Sequence, residues 1–189
     1  DAAVRTALDN LRNRINYAPD FDTGGEDIAY ALLVLARAGA ASIGDLRYYA
    51  DTKAEAFATP LARGQLGAAL ASYGEQSRAD RMFRLAQDLS QRASDPTPGW
   101  RDDYGTPLRD AAGLLHLAVE AGSTAVDQTE LAAGLAARQG RYSTQEAAQV
   151  LMAAQALRGG SGAALLSVDD TPVAGPLVQT RGFGDAASA

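Results

Sequence analysis

The sequence predicts an all-α fold: an α/α toroid of helix hairpins, present as an incomplete ring, with a short β-like C-terminal tail. Three observations predict it. Hydrophobic residues make up 47% of the 189-residue chain but aromatics only 6%. That balance suits close-packed helices with Ala and Leu at their contacts, because sheets favour β-branched and aromatic side chains. Apolar residues recur with helical spacing in successive stretches punctuated by Gly, Pro and Ser/Thr. The stretches also alternate in character. More apolar ones begin near Glu26, Pro60, Pro107 and Thr144, and more amphipathic ones near Asp1, Ile43, Ser77 and Thr124. The apolar starts lie 34, 47 and 37 residues apart, which is helix-hairpin repeat spacing. An inner layer shielded by an outer one follows. The tetratricopeptide signature is missing, and the inner helices are too apolar to line a solvated groove, so a toroid fits better than an open solenoid.

Taken in order, Asp1–Asn16 places Val4, Leu8, Leu11 and Ile15 on one face, and Tyr17–Gly25 is a loop marked by its Pro and Gly pair. Glu26–Ala38 is apolar nearly all round and should lie deeper. Ser42 caps a short helix over Ile43–Ala50. Thr59-Pro60 is a strong start signal, an N-cap residue followed by Pro at the first helical position. Ser77 with Asp80 opens a helix that turns Met82, Phe83, Ala86 and Leu89 inward. Ser94–Gly105 is a long loop with no helical stripe, expected to be mobile. Thr106-Pro107 repeats the start signal, and Ser123–Arg138 is a further amphipathic segment.

Tyr142–Leu157 (YSTQEAAQVLMAAQAL) has Ser143 at the N-cap and Glu146 three residues on, the spacing of a capping box. Ala147, Val150, Leu151, Ala154 and Leu157 then define a stripe expected to be buried. Gly159-Gly160 ends the run, which sets a boundary near residue 160. Residues 1–160 form the helical domain, and 161–189 a linker and the start of an adjoining β domain. In that tail Ala163–Asp170 alternates weakly, Thr171-Pro172 is expected to turn the chain, and Pro176–Thr180 to form a second short strand.

Several function classes are disfavoured. The formal net charge is -6, so the basic footprint of a nucleic-acid binder is missing. No apolar run reaches membrane-spanning length. Zero cysteines exclude disulfides, thiolate metal sites and thiol nucleophiles. The chain opens on Asp1 within a helical pattern and without Met, so it reads as a piece of a longer protein.

No reactive motif is present, and no catalytic, cofactor-binding or metal residue is assigned. The strongest enzyme-like feature is Trp100–Tyr104 (WRDDY), where Asp102 and Asp103 sit beside Trp100 and Tyr104. Such a loop would suit a sugar or a cation, but neighbouring acids rarely straddle a scissile bond. An exposed acidic loop near the next helix N-terminus is the plainer reading. His116, the only histidine, lies between Leu115 and Leu117 and reads as a structural, partly buried side chain. Gly24-Gly25 before a helix lacks the G-x-G-x-x-G pattern of a phosphate loop.

Three phrases, AYALLVLARAGAASIGDLRYYADT (29–52), FATPLARGQLGAALASYGEQSRADRMF (57–83) and YSTQEAAQVLMAAQAL (142–157), resemble the thioester domain of the bacterial alpha-2-macroglobulins, relatives of complement factors. The resemblance covers roughly residues 1–160. It implies a part of a periplasmic or cell-envelope protease trap, whose bait region is cut before the molecule rearranges around the attacker. Its partners would be proteases and the adjoining domains of the same chain, with no cofactor. The family's thioester lies in a C-x-E-Q motif, and this chain has no Cys. The resemblance also implies a ring of roughly six hairpins, of which about four are present here. Open flanks and self-association of the fragment are therefore expected. The competing class is an α/α-toroid enzyme, glycosidase-like or isoprenoid cyclase-like, working through Asp102 and Asp103.

Overall fold

A computed structural model describes residues 2–17, 21, 24–92, 101, 103–160, 167–168 and 171–172. The described residues form eight helices: α1 (Ala2–Asn16), α2 (Glu26–Arg37), α3 (Ile43–Thr52), α4 (Pro60–Ser72), α5 (Gln76–Arg92), α6 (Pro107–Glu120), α7 (Gln128–Ala136) and α8 (Thr144–Gly160). The fold is all-α, apart from a two-residue antiparallel pair in the tail, β1 (Ser167–Val168) with β2 (Thr171–Pro172). Thr171-Pro172 is thus a strand partner rather than the expected turn. Pro176–Thr180 lies outside the described residues.

The helix starts follow from their caps. Thr59 Oγ1 accepts from Ala62 N at 3.1 Å and Thr106 Oγ1 from Arg109 N at 3.2 Å, each ahead of a proline that needs no amide partner. Ser42 caps α3 in the same way. Two starts differ from the sequence expectation. α5 begins at Gln76, and Asp80 accepts hydrogen bonds from Gln76 and from Ser123 of a neighbouring loop. α7 begins at Gln128, because Asp127, not Ser123, supplies the capping oxygen.

The layers match the alternation. α2, α4, α6 and α8 pack side by side in that order. α1 packs on α2, α3 on α4, α5 on α4 and α6, and α7 on α6. α6 is central: Arg109, Asp110 and every residue from Ala112 to Ala118 are buried. Gly113 lets α4 approach α6, since a Cβ there would stand 2.5 Å from Leu61 Cδ1. The main core joins Leu32, Leu35, Leu46, Phe57, Leu66, Leu70, Phe83 and Leu114, all close to fully buried. A smaller cluster of Ala112, Leu115, Leu135 and Ala153 ties α6 to α7 and α8.

The expected burial of Tyr142–Leu157 is corrected. Only Glu146 and Ala153 are buried on α8, Val150 and Leu157 are half-buried, and Ala147, Leu151 and Ala154 are exposed. The reason is positional. α8 ends the inner row and packs on α6 along one flank, so only the residues near 146, 149–150, 153 and 156–157 find a neighbour.

Candidate functional site

Two openings flank the inner row. At the N-terminal ends of its helices lies a cleft of about 860 Å³, lined by residues of α2, α4, α6 and α8 and by the loops leading into them. That end is tied across the chain by a parallel bridge between Gly24 and Phe57, in which Ala58 N donates to Gly24 O at 3.0 Å. The C-terminal halves of α2, α6 and α8 enclose a smaller groove of about 510 Å³ containing Arg37, His116, Glu120 and Met152.

The WRDDY loop enters the first cleft. Trp100 and Asp102 lie outside the described residues, as do residues 93–99 of the long loop. Arg101, Asp103 and Tyr104 are described. Tyr104 N donates to Arg101 O at 2.9 Å, and Tyr104 has a left-handed φ of 52° with an exposed ring.

Asp103 is not the exposed acid expected from the sequence. It anchors a network with two arginines and a second acid. Arg101 donates to Asp103 Oδ1 at 3.0 Å and Oδ2 at 2.8 Å, and Arg109 Nη2 reaches Asp103 Oδ2 at 2.5 Å. Both arginines also hold Asp110, which is 1% exposed, at 2.8 Å and 2.7 Å. Gly105 is required here: a Cβ would meet Arg109 Nη2 at 2.3 Å and Arg101 Nη2 at 2.6 Å. Burial works to raise the Asp103 pKa. Hydrogen bonds from Arg101, Arg109 and Gly105 N outweigh it and bring the value down to about 2. A carboxylate so strongly ionised, with both oxygens engaged, is a poor general acid. The geometry therefore does not favour a glycosidase-like role for Asp103.

Arg109 continues the network to α8 through Gln145 Oε1 at 3.2 Å. Beside it, Glu146 Oε2 accepts from Ser143 N at 2.7 Å while Ser143 Oγ accepts from Glu146 N at 3.3 Å, completing the capping box. Glu146 Oε1 accepts from the Thr106 hydroxyl at 2.7 Å. The caps of α6 and α8 are thus one hydrogen-bonded unit.

His116 is 9% exposed, and its Nε2 lies 3.5 Å from Glu120 Oε2. Burial lowers its pKa, Glu120 pulls it back up and Arg37 lowers it further, leaving it below the ordinary value. Arg37 also bonds Glu120 at 2.5 Å. Neither a nucleophile nor a second histidine joins this group, and no cluster of metal-ligating side chains occurs among the described residues.

Sequence reasoning missed the arginines. Arg63 on α4 is buried and donates to the carbonyls of Phe57 at 2.9 Å, Leu85 at 3.0 Å and Glu55 at 3.0 Å. Arg63 and Arg109 follow the two Thr-Pro-Leu starts, TPLAR and TPLR. A cation inside an otherwise apolar inner helix was the available signal.

No family model matches the chain. The alpha-2-macroglobulin of Escherichia coli (strain K12) is 38% identical over 92 residues, covering 49% of this chain and 5% of that protein. Among solved structures, Salmonella alpha-2-macroglobulin reacted with methylamine superimposes with a TM-score of 0.69 at 28% identity, over 82% of this chain and 11% of the other. The native conformation of E. coli alpha-2-macroglobulin gives 0.68 at 30% identity, over 83% and 10%. The native E. coli protein from domain MG7 to the C-terminus gives 0.69 at 29% identity, over 83% and 26%. The chain thus spans a small part of each of these proteins.

Proposed function

From the premise that this chain is related to the bacterial alpha-2-macroglobulins in both sequence and fold, we propose that it is a structural segment of a protease inhibitor of that type. In this reading residues 1–160 are part of the thioester domain and residues 161–189 lead into an adjoining β domain. The carrying observation is that sequence identity and fold agree: 38% identity over 92 residues, and TM-scores near 0.69 over more than four-fifths of the chain. The segment serves as scaffold. Its ionised groups are locked in structural pairs (Asp103 with Arg101 and Arg109, Glu146 with Thr106), and the chain has no thiol to form an acyl bond. The whole protein would act at the cell envelope or in the periplasm, trapping proteases after bait cleavage. No helix among the described residues is long and apolar enough to cross a membrane.

A chimera tests this. Residues 1–160 replace the corresponding segment of the E. coli relative, keeping that protein's own Cys-containing motif, and protease capture is measured. A folded chimera that captures protease is expected. A folded chimera that fails to capture protease would overturn the reading.

A further inference from the structure

The cleft at the N-terminal ends of the inner helices carries polar groups that its own residues leave unused. Its floor is apolar, formed by Leu61, Ala62 and Ala148. Above the floor, Gln65 on α4 and Gln149 on α8 make no hydrogen bond within the described residues, and Gln145 is engaged only through Oε1, by Arg109. On the α2 side stands Glu26, half-buried and with no ionic partner among the described residues. The other carboxylates of the lining are already held, Asp27 by Arg14 and Asp103 by Arg101 and Arg109.

These groups select a ligand chemistry. Each glutamine amide offers a donor and an acceptor side by side, the complement of a peptide group. An apolar floor with a few convergent polar groups is the usual make-up of a binding pocket, and the volume of about 860 Å³ falls within the ordinary range. The unpaired carboxylate at one edge favours a cation over a neutral or acidic group. We propose that this cleft is a docking site for an extended peptide segment, with its backbone amides on Gln65 and Gln149 and a lysine or arginine side chain on Glu26. The site stands on the cleft itself and does not depend on the family reading.

The test is an NMR titration of the isotope-labelled full chain with the blocked peptide acetyl-Ala-Ala-Arg-Ala-Ala-amide. Its counterpart with norleucine in place of arginine, and maltotriose, serve as comparison ligands. Saturable shifts of the Gln65 and Gln149 side-chain amide signals are expected with the arginine peptide. Glu26→Gln should weaken that peptide about fivefold, to the level of the norleucine peptide, with the rest of the spectrum unchanged. Gln65→Leu combined with Gln149→Leu should weaken both peptides. Absence of saturable shifts, shifts confined to another surface, or a response to maltotriose alone would each overturn the proposal. Equal affinity of Glu26→Gln for the arginine peptide would overturn the assigned role of Glu26.

Discussion

Glu146 on α8 accepts a hydrogen bond from the Thr106 hydroxyl at 2.7 Å, so one carboxylate closes the caps of two inner helices forty residues apart in sequence. Its pKa is lowered, first by the backbone N–H of Ser143 and then by Thr106. The folded value lies below the unfolded one, so Glu146 stabilises the fold above the ordinary glutamate range and loses that contribution as pH falls through the folded value. Glu146→Ala should cost about 1–2 kcal/mol at neutral pH. Urea denaturation at pH 7 and pH 3.5 checks both points: the gap between variant and parent should narrow at the lower pH.

Arg63 should be among the most sensitive positions. Its guanidinium satisfies three carbonyls, and both Arg63→Ala and Arg63→Met leave them without that donor. A loss of about 3 kcal/mol is expected for Arg63→Ala. Arg63→Lys should recover only part of it, because a point charge cannot fork to three acceptors. Denaturation midpoints of the three variants give the ordering.

Asp103 contributes to the acid limb of the stability curve. With a folded pKa of about 2, below the model value of 3.8, its stabilisation is present above pH 4 and fades as pH falls towards 2. Asp103→Asn should lower stability by about 1–3 kcal/mol at pH 7 and flatten the curve in that window. Thermal melts between pH 2 and 5 provide the measurement. An unchanged acid limb would contradict the ion-pair network.

The chain alone should form no covalent adduct with an attacking protease, since acyl transfer from a thioester requires a thiol and none exists here. The fragment, incubated with an active serine protease and run on a denaturing gel, should show cleavage products only. A protease-linked band would refute this.

The outer flank of α8 should drive self-association. Leu151 is 69% exposed and Met152 37%, next to exposed Ala147 and Ala154. Light scattering should show mass rising with concentration, and Leu151→Glu should abolish the rise. A parent chain that stays monomeric would show that this flank is covered in another way.

The sequence by itself determined where the helices begin and which layer each joins. Thr59-Pro60, Thr106-Pro107, Ser42 and the Ser143/Glu146 box act within one turn, and the period of apolar residues is read along one helix. Only the tertiary structure decided what each helix face meets. Leu151 reads as core by spacing but faces outward, because no inner helix packs beyond α8 among the described residues. Asp103 reads as an exposed acid but is held by Arg101 and by Arg109 from the next helix. Caps and periodicity are local and therefore legible in the chain. Burial and ion pairing depend on groups distant in sequence, and packing alone brings those together.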